Sequence, residues 1–122
     1  MNLKEITGKV RKCAEQVGCS MGSGFLKKVY ENALAYEISR SGLQIQQRYP
    51  ITVRYQKAVV GEYEADLLVE NALLVEIRTG EKFDLQDEAL CRNHLKATGL
   101  KECLLVHFGK TKVKFKRVVG SF

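Results

Sequence analysis

The sequence lacks several features that would assign it to a specialised class. No run of apolar residues approaches the roughly 20 that a membrane-spanning helix needs. The first residues, Met1 to Ile6, contain no apolar stretch of the kind found in a signal peptide. Of the 122 positions, 45% are hydrophobic and 28% charged, which excludes disorder, collagen and coiled-coil arrays. We therefore expect a single domain over residues 1–122, located in the cytoplasm and not associated with a membrane.

The four cysteines form no Cys-x-x-Cys motif and no zinc-like double pair. Cys13 lies on the apolar stripe of a predicted helix and Cys103 in an apolar strand, where cysteine behaves as a small hydrophobe. Without secretion, a disulfide framework is not expected. Cys91 and His94 are three positions apart and can share a helix face, and His107 follows later. We favour ordinary core or surface positions for these residues over a metal site.

The positive charge is unevenly distributed. The chain has 20 basic and 14 acidic residues, a net charge of +6, and the surplus lies at its two ends, in residues 1–48 and 101–122. Residues 49–100 are acidic overall. This distribution fits a metal-carboxylate site flanked by a surface that binds a polyanion. It fits solvated helix and strand faces equally well, so charge alone leaves both interpretations open.

Hydrophobic periodicity predicts two helices followed by strands. Apolar residues from Ile6 to Val17 recur at three to four positions, which predicts a helix that ends in the glycine-rich residues 18–24. Ser23 is the predicted N-cap of a second helix, and Gly42 its C-terminal stop.

From position 45 onwards the apolar residues recur at every second position, which predicts strands. Strands are predicted over residues 45–55, 62–69, 73–78, 103–106 and 113–119, and a helix over Phe83 to Ala97. The continuous apolar strand 103–106 is typical of burial on both faces. Pro50 has no amide hydrogen, so the first strand should lie at a sheet edge or contain a bulge. The predicted order is α-α-β-β-β-α-β-β.

Two acids lie on neighbouring predicted strands. A turn centred on Asn71 would place Asp66 directly opposite Glu76, with Cβ atoms about 5 Å apart. Carboxylates this close repel each other. A hard divalent cation such as Mg²⁺ would resolve that repulsion, since it takes oxygen ligands from one or two carboxylates. The alternative, favoured for an isolated acidic pair, is that the two acids pair with lysines or face solvent.

These acids belong to a fuller pattern. Asp66, followed after nine residues by Glu76-Ile77-Arg78, resembles the PD-(D/E)XK nuclease signature, Asp…Glu-x-Lys on a β-hairpin. Three segments are similar to the helix, the hairpin and the following helix of the bacterial GxxExxY family: residues 24–37, 61–69 and 93–100. The resemblance covers residues from about 6 to 119. It implies an α/β (α+β) fold with a restriction-endonuclease-like core and a mixed central sheet.

The resemblance also implies a site. Asp66 and Glu76 would be catalytic residues and ligands of Mg²⁺ or Mn²⁺, and Glu31 would complete or orient the metal site. Arg78, at the position of the motif lysine, would assist catalysis. A helical wheel places Glu31 at the flank of its helix and Glu37 near the centre of the apolar stripe, so we interpret Glu37 as structural. The partner would be DNA or RNA, whose phosphates would contact Lys27, Lys28, Lys110, Lys112, Lys114, Lys116 and Arg117.

Three positions depart from the family pattern. Lys27 stands where the family has a glutamate, Arg78 replaces a lysine, and Leu90 replaces a glutamine. Arginine stays protonated and cannot act as a base, although it can clamp a phosphate. Three functions therefore stay open: a Mg²⁺-dependent phosphodiesterase with a partly degraded active site, a catalytically inactive nucleic-acid-binding module, and a small interaction or oligomerisation domain. An edge strand near Pro50 would also suit a homodimer.

Overall fold

One mixed sheet with helices on both faces forms the described part of the chain. The computed structural model describes residues 1–80 and 84–120. Its elements, in chain order, are α1 (Leu3–Met21), α2 (Lys27–Arg40), β1 (Ile45–Tyr55), β2 (Ala58–Val69), β3 (Leu73–Thr79), α3 (Leu85–Thr98), β4 (Glu102–Phe108) and β5 (Val113–Val119). The strands lie in the order β1-β2-β3-β4-β5, and only β3 and β4 are parallel. The predicted element order and the mixed sheet are confirmed.

The strands divide their side chains between two hydrophobic cores. Helices α1 and α2 cover one face, where Val75 and Leu104 are fully buried. Helix α3 covers the other face, where Cys91 and Cys103 bring their sulfur atoms within 3.1 Å of each other. Strand β4 is buried along its whole length, as its continuous apolar sequence predicts.

The helix boundaries agree with the prediction for the end of α1 and differ from it at the start of α2. Helix α1 ends at Met21, within the predicted glycine-rich residues 18–24. Gly18 lies inside the helix, at a position where a Cβ atom would overlap the Val113 side chain. The prediction of Ser23 as an N-cap is wrong, since α2 begins at Lys27. The predicted helix start at Phe83 lies outside the described residues. No helix in the described ranges combines the length and the hydropathy needed to span a membrane.

A tyrosine hydroxyl replaces the predicted cap before α2. The Tyr30 hydroxyl donates to the carbonyl of Gly22 at 2.5 Å and accepts from the amide of Phe25 at 3.3 Å. The loop before the helix is therefore fixed by a buried side chain one turn into α2.

The buried stripe of α2 is rotated from its predicted position. Glu31 is 4% exposed rather than at the flank, whereas Glu37 is half-buried, with Arg40 at 4.0 Å. The reason is that α2 packs between α1 and the sheet. The side of α2 that faces β1 is therefore buried as well.

The β1–β2 hairpin extends beyond the part of it that pairs with β3. Strand β2 pairs with β1 along its whole length, but with β3 only through residues 67–69. Strand β1 is the sheet edge, which confirms the prediction made from Pro50. Residues 58–64 of β2, with the part of β1 that pairs with them, therefore extend beyond β3. This extension has one surface on each side of the hairpin.

Candidate functional site

Strands β2 and β3 separate at the two predicted acids. Their ladder ends at the pair Leu67 and Val75, in the register that the sequence predicts, which places Asp66 opposite Glu76. Beyond that pair the carboxylates bind the backbone instead. Asp66 Oδ2 accepts from the Ile77 amide at 2.8 Å, and the Glu76 carboxylate accepts weakly from the Asp66 amide at 3.3 Å. Both acids thus satisfy amide groups that the separation leaves without strand partners.

Two cations of the protein lie against Asp66. Lys27 Nζ lies 3.0 Å from Oδ1, and Arg78 Nη1 lies 3.5 Å from Oδ2. Arg78 is held in place by Asp87, which accepts from its Nε at 2.8 Å, and by the carbonyl of Ile77 at 2.7 Å. Burial acts to lower the pKa of Arg78, but the hydrogen bond to Asp87 and the nearby carboxylates raise it overall. Arg78 therefore stays protonated beside Asp66.

The Glu76 side chain packs against α3. It is 2% exposed, and His94 Nδ1 lies 3.4 Å from its Oε2. Burial raises the pKa of Glu76 and the Asp66 charge raises it further, while His94 and Arg78 lower it. The net shift is upward, so Glu76 holds a proton more readily than an exposed glutamate.

Glu31 lies in a cleft of about 490 Å³ between α2 and the hairpin, which we call the α2 cleft. Its Oε2 accepts from Gln47 Nε2 at 3.2 Å and has Arg48 Nε at 3.7 Å. Arg48, which the sequence analysis did not single out, has a positive φ of 54° at the point where the β1–β2 ladder skips a pair. The cleft is lined by Lys27, Lys28, Glu31, Arg48, Glu64, Ala65 and Asp66.

The acids do not form an open site for a divalent cation. Within residues 1–80 and 84–120, no three His, Cys, Asp or Glu side chains come together as a metal-binding group. Both oxygens of Asp66 already contact nitrogen donors of the protein, including two cations. Mg²⁺ needs oxygen ligands and retained waters, so it would have to displace Lys27. The residues present do not fit a metal ion in this arrangement, and Lys27 and Arg78 supply the neutralising charge.

The predicted phosphate-binding residues do not form one surface. Lys27 and Lys28 line the α2 cleft, while Lys110 and Lys112 line a cavity beside the end of α1. Strand alternation then separates the cations of β5. Lys116 reaches Glu88 of α3 at 3.6 Å, as its position on the α3 face requires. Lys114 shares that face by alternation.

Arg117 lies on the other face of β5, where it is part of a buried network. Its Nε donates to Glu102 Oε1 at 2.6 Å, and the Thr7 hydroxyl donates to the second oxygen of Glu102 at 2.6 Å. Glu102 is 4% exposed, so Arg117 neutralises a buried charge between α1 and the sheet. The predicted role of these basic residues in nucleic-acid binding stays a prediction.

Comparison with known proteins agrees with this architecture. The family model described as the PD-(D/E)XK nuclease superfamily matches residues 4–118. Among curated protein sequences, none matches this chain.

Two solved structures share the fold at low sequence identity. The crystal structure of SSO0001 has a TM-score of 0.65 and 10% identity, over 79% of this chain and 51% of that one, so this chain spans about half of its length. The alkaline exonuclease LHK-Exo from Laribacter hongkongensis has a TM-score of 0.50 and 14% identity, over 88% of this chain and 76% of that one. The five-stranded mixed sheet is the restriction-endonuclease-like fold. With the family match covering nearly all of its length, the chain belongs to the PD-(D/E)XK nuclease superfamily.

Proposed function

We propose that this protein is a nucleic-acid-binding member of the PD-(D/E)XK superfamily that does not hydrolyse phosphodiester bonds. The observation that carries the proposal is the position of Lys27 Nζ, 3.0 Å from Asp66 Oδ1, with Arg78 against the other oxygen. A metal-dependent nuclease needs that carboxylate as a ligand. In this chain its charge is already balanced by residues that the family pattern does not have at these positions.

Nucleic-acid binding is supported by the superfamily and by charge. The chain carries a net charge of +6, although the three cations of the α2 cleft, Lys27, Lys28 and Arg48, share that cleft with three acids, Glu31, Glu64 and Asp66. The Lys27 side chain is 42% exposed although its ammonium group contacts Asp66. Cations spaced along a cleft attract a phosphate backbone without reading its sequence. The binding should therefore depend strongly on salt.

A second candidate function is the Mg²⁺- or Mn²⁺-dependent phosphodiesterase that the GxxExxY resemblance implies. One observation favours it, because Asp66 and Glu76 lie opposite each other at the separation of β2 and β3, in the register of the predicted pair. For this function Lys27 would have to leave Asp66. The two functions therefore predict different metal binding and cleavage when Lys27 is replaced.

The deciding experiment combines cleavage with metal titration. Labelled DNA and RNA oligonucleotides are incubated with Mg²⁺ or Mn²⁺ and the wild-type protein, with Asp66→Ala in parallel, and Mn²⁺ binding is measured by calorimetry. We expect no metal-dependent cleavage and no Mn²⁺ site in the wild type. The double variant Lys27→Glu, Arg78→Lys should gain a Mn²⁺ site that Asp66→Asn removes again.

Lys28→Glu is the matched control, since it makes the same charge change on the neighbouring residue of α2. It should gain no Mn²⁺ site. Cleavage by the wild type that needs metal and disappears in Asp66→Ala would overturn the proposal in favour of the phosphodiesterase. A wild type that binds no DNA or RNA even at low salt would overturn the binding part and favour an interaction domain.

A further inference from the structure

A second groove lies on the other side of the hairpin, between the hairpin and α3. Its volume is about 610 Å³, within the range of sites that bind small organic groups. Six of its lining residues matter here: Arg54, Tyr63, Leu90, Asn93, His94 and Lys96. We call it the α3 groove. Leu90 stands at a position of the family pattern, and the other five belong to no site that the sequence resemblance predicts.

Tyr63 presents an exposed aromatic face in the α3 groove. It is 53% exposed because residues 58–64 project beyond β3 and nothing in the sheet covers them. Its ring lies 5.9 Å from the His94 ring, at an angle of 45°. An exposed aromatic ring in a groove is the element on which proteins stack unpaired nucleobases.

His94 supplies independent evidence that the groove takes a ligand. It is 3% exposed, and within the described residues neither ring nitrogen has a hydrogen-bond partner of acceptable geometry. The contact with Glu76 uses Nδ1, and Nε2 has no hydrogen-bond partner in residues 1–80 and 84–120. A buried polar nitrogen without a partner is costly, and a polar group of a bound base would satisfy it.

The rim of the groove carries positive charges, which are complementary to the phosphates of a nucleic acid. Arg54 lies on β1 and Lys96 on α3, so each of the two walls carries a cation, and the exposed Asn93 of α3 also lines the groove. Leu90, which replaces the glutamine of the family pattern, adds an apolar surface to the same groove. An apolar and aromatic floor under a basic rim suits a flat base attached to a phosphate backbone.

We infer that the α3 groove binds a base of a single-stranded nucleic acid. The base stacks on Tyr63 against Leu90, and the neighbouring phosphates lie at Arg54 and Lys96. Bases of a duplex are stacked on each other and cannot enter such a groove, so the groove selects unpaired strands. This inference rests on the proposed function and adds the form of the nucleic acid to it.

The test measures fluorescence anisotropy of three labelled probes of one sequence: single-stranded DNA, single-stranded RNA and the DNA duplex. The wild type should bind the single strands more tightly than the duplex. Tyr63→Ala should weaken single-strand binding about tenfold, since stacking of one base contributes that much, and should leave duplex binding unchanged. Tyr63→Phe should keep the wild-type affinity because the ring remains.

A matched control and a second variant make the test decisive. Tyr36→Ala removes a tyrosine of similar exposure, 67%, on α2 outside the groove, and should change nothing. Leu90→Asp places a negative charge in the groove and should weaken single-strand binding independently of Tyr63. If the wild type binds nucleic acid but neither Tyr63→Ala nor Leu90→Asp weakens the single-stranded complexes, the α3 groove is not the site. Absence of any binding by the wild type would instead overturn the proposed function itself.

Discussion

The β1–β2 hairpin carries charged residues on both sides, but only one side neutralises them internally. In the α2 cleft, Asp66 faces Lys27 at 3.0 Å and Glu31 faces Arg48 at 3.7 Å. In the α3 groove, Tyr63 is exposed and the ring nitrogens of the buried His94 lack hydrogen bonds among the described residues. One side is therefore already satisfied within the fold, whereas the other side still has groups that a ligand would satisfy.

This difference shows how a superfamily geometry can persist for a structural reason. Asp66 and Glu76 accept hydrogen bonds from backbone amides at the point where β2 and β3 separate. The hairpin needs these acceptors whether or not a metal binds. The residues at the signature positions therefore indicate the fold. Whether this site can hydrolyse a phosphodiester depends on the residues that contact them.

The largest expected effect comes from removing the shared carboxylate. Asp66→Ala leaves Lys27 and Arg78 without their partner and the Ile77 amide without its acceptor, so we expect a loss of about 3 kcal/mol in the free energy of unfolding. Urea denaturation measures it. Glu64→Ala, an exposed acid on the same strand, should stay within about 0.5 kcal/mol of the wild type. A variant more stable than the wild type would mean that repulsion between Asp66 and Glu76 dominates.

Local sequence signals determine the connection between β2 and β3 and the register of these two strands. The connection between β2 and β3 has three residues, Glu70 to Ala72, and it is centred on Asn71, so that Val69 pairs with Leu73. Glu70 and Asn71 both have positive φ, 52° and 54°, as tight connections between twisted strands require. Once that turn is placed, the pairing of β2 with β3 follows by counting. The predicted opposition of Asp66 and Glu76 was therefore reachable from the sequence.

The regular alternation of side chains between the two faces of the sheet fails in β2 between Ala65 and Leu67, for a reason that lies in the tertiary structure. Ala65 packs in the α3 core and Leu67 in the core on the other face, although residues two apart should share a face. Between the partners of Ala65 and Leu67, the β1–β2 ladder skips a pair at Arg48, where φ is positive. The contact of Lys27 with Asp66 joins a helix and a strand far apart in the chain, so no periodicity reveals it.

The second expected effect separates structural from exposed cations. Arg117→Gln removes the charged partner of the buried Glu102 and leaves the Thr7 hydroxyl as a donor to it. We expect a loss of about 1 kcal/mol in unfolding free energy, since the Arg117 side chain is itself 59% exposed. Urea denaturation again measures the change. Lys114→Gln, on the opposite face of β5, is the matched control and should leave stability unchanged. Equal losses for the two variants would contradict the division of β5 into a structural and an exposed face.

The third expected effect is on binding and is smaller. Lys112→Gln and Lys114→Gln should each weaken polynucleotide binding about threefold if the residue contacts one phosphate, and each should reduce the salt slope by about 0.9. Anisotropy titrations over a range of salt concentrations give both values. Lys116, which contacts Glu88, should contribute less when it is replaced. Unchanged slopes in both variants would show that Lys112 and Lys114 are solvated and do not contact the polynucleotide.

The smallest expected effect is a pH dependence that belongs to Glu76. Burial, followed by the charge of Asp66, raises the pKa of Glu76 above its usual value of 4.5, so the folded protein holds the proton more tightly than the unfolded chain. The stability that this proton contributes is fully present below pH 4.5 and is lost as the pH rises through the raised pKa. Relative to Glu76→Gln, which has no such group, the wild type should therefore lose unfolding free energy as the pH rises from 4.5. Urea denaturation of both proteins at matched pH values measures the difference, with Glu64→Gln as the exposed control. A gap between wild type and Glu76→Gln that stays constant, or that moves in favour of the wild type at higher pH, would show that Glu76 is charged in the folded protein and that its partners outweigh its burial.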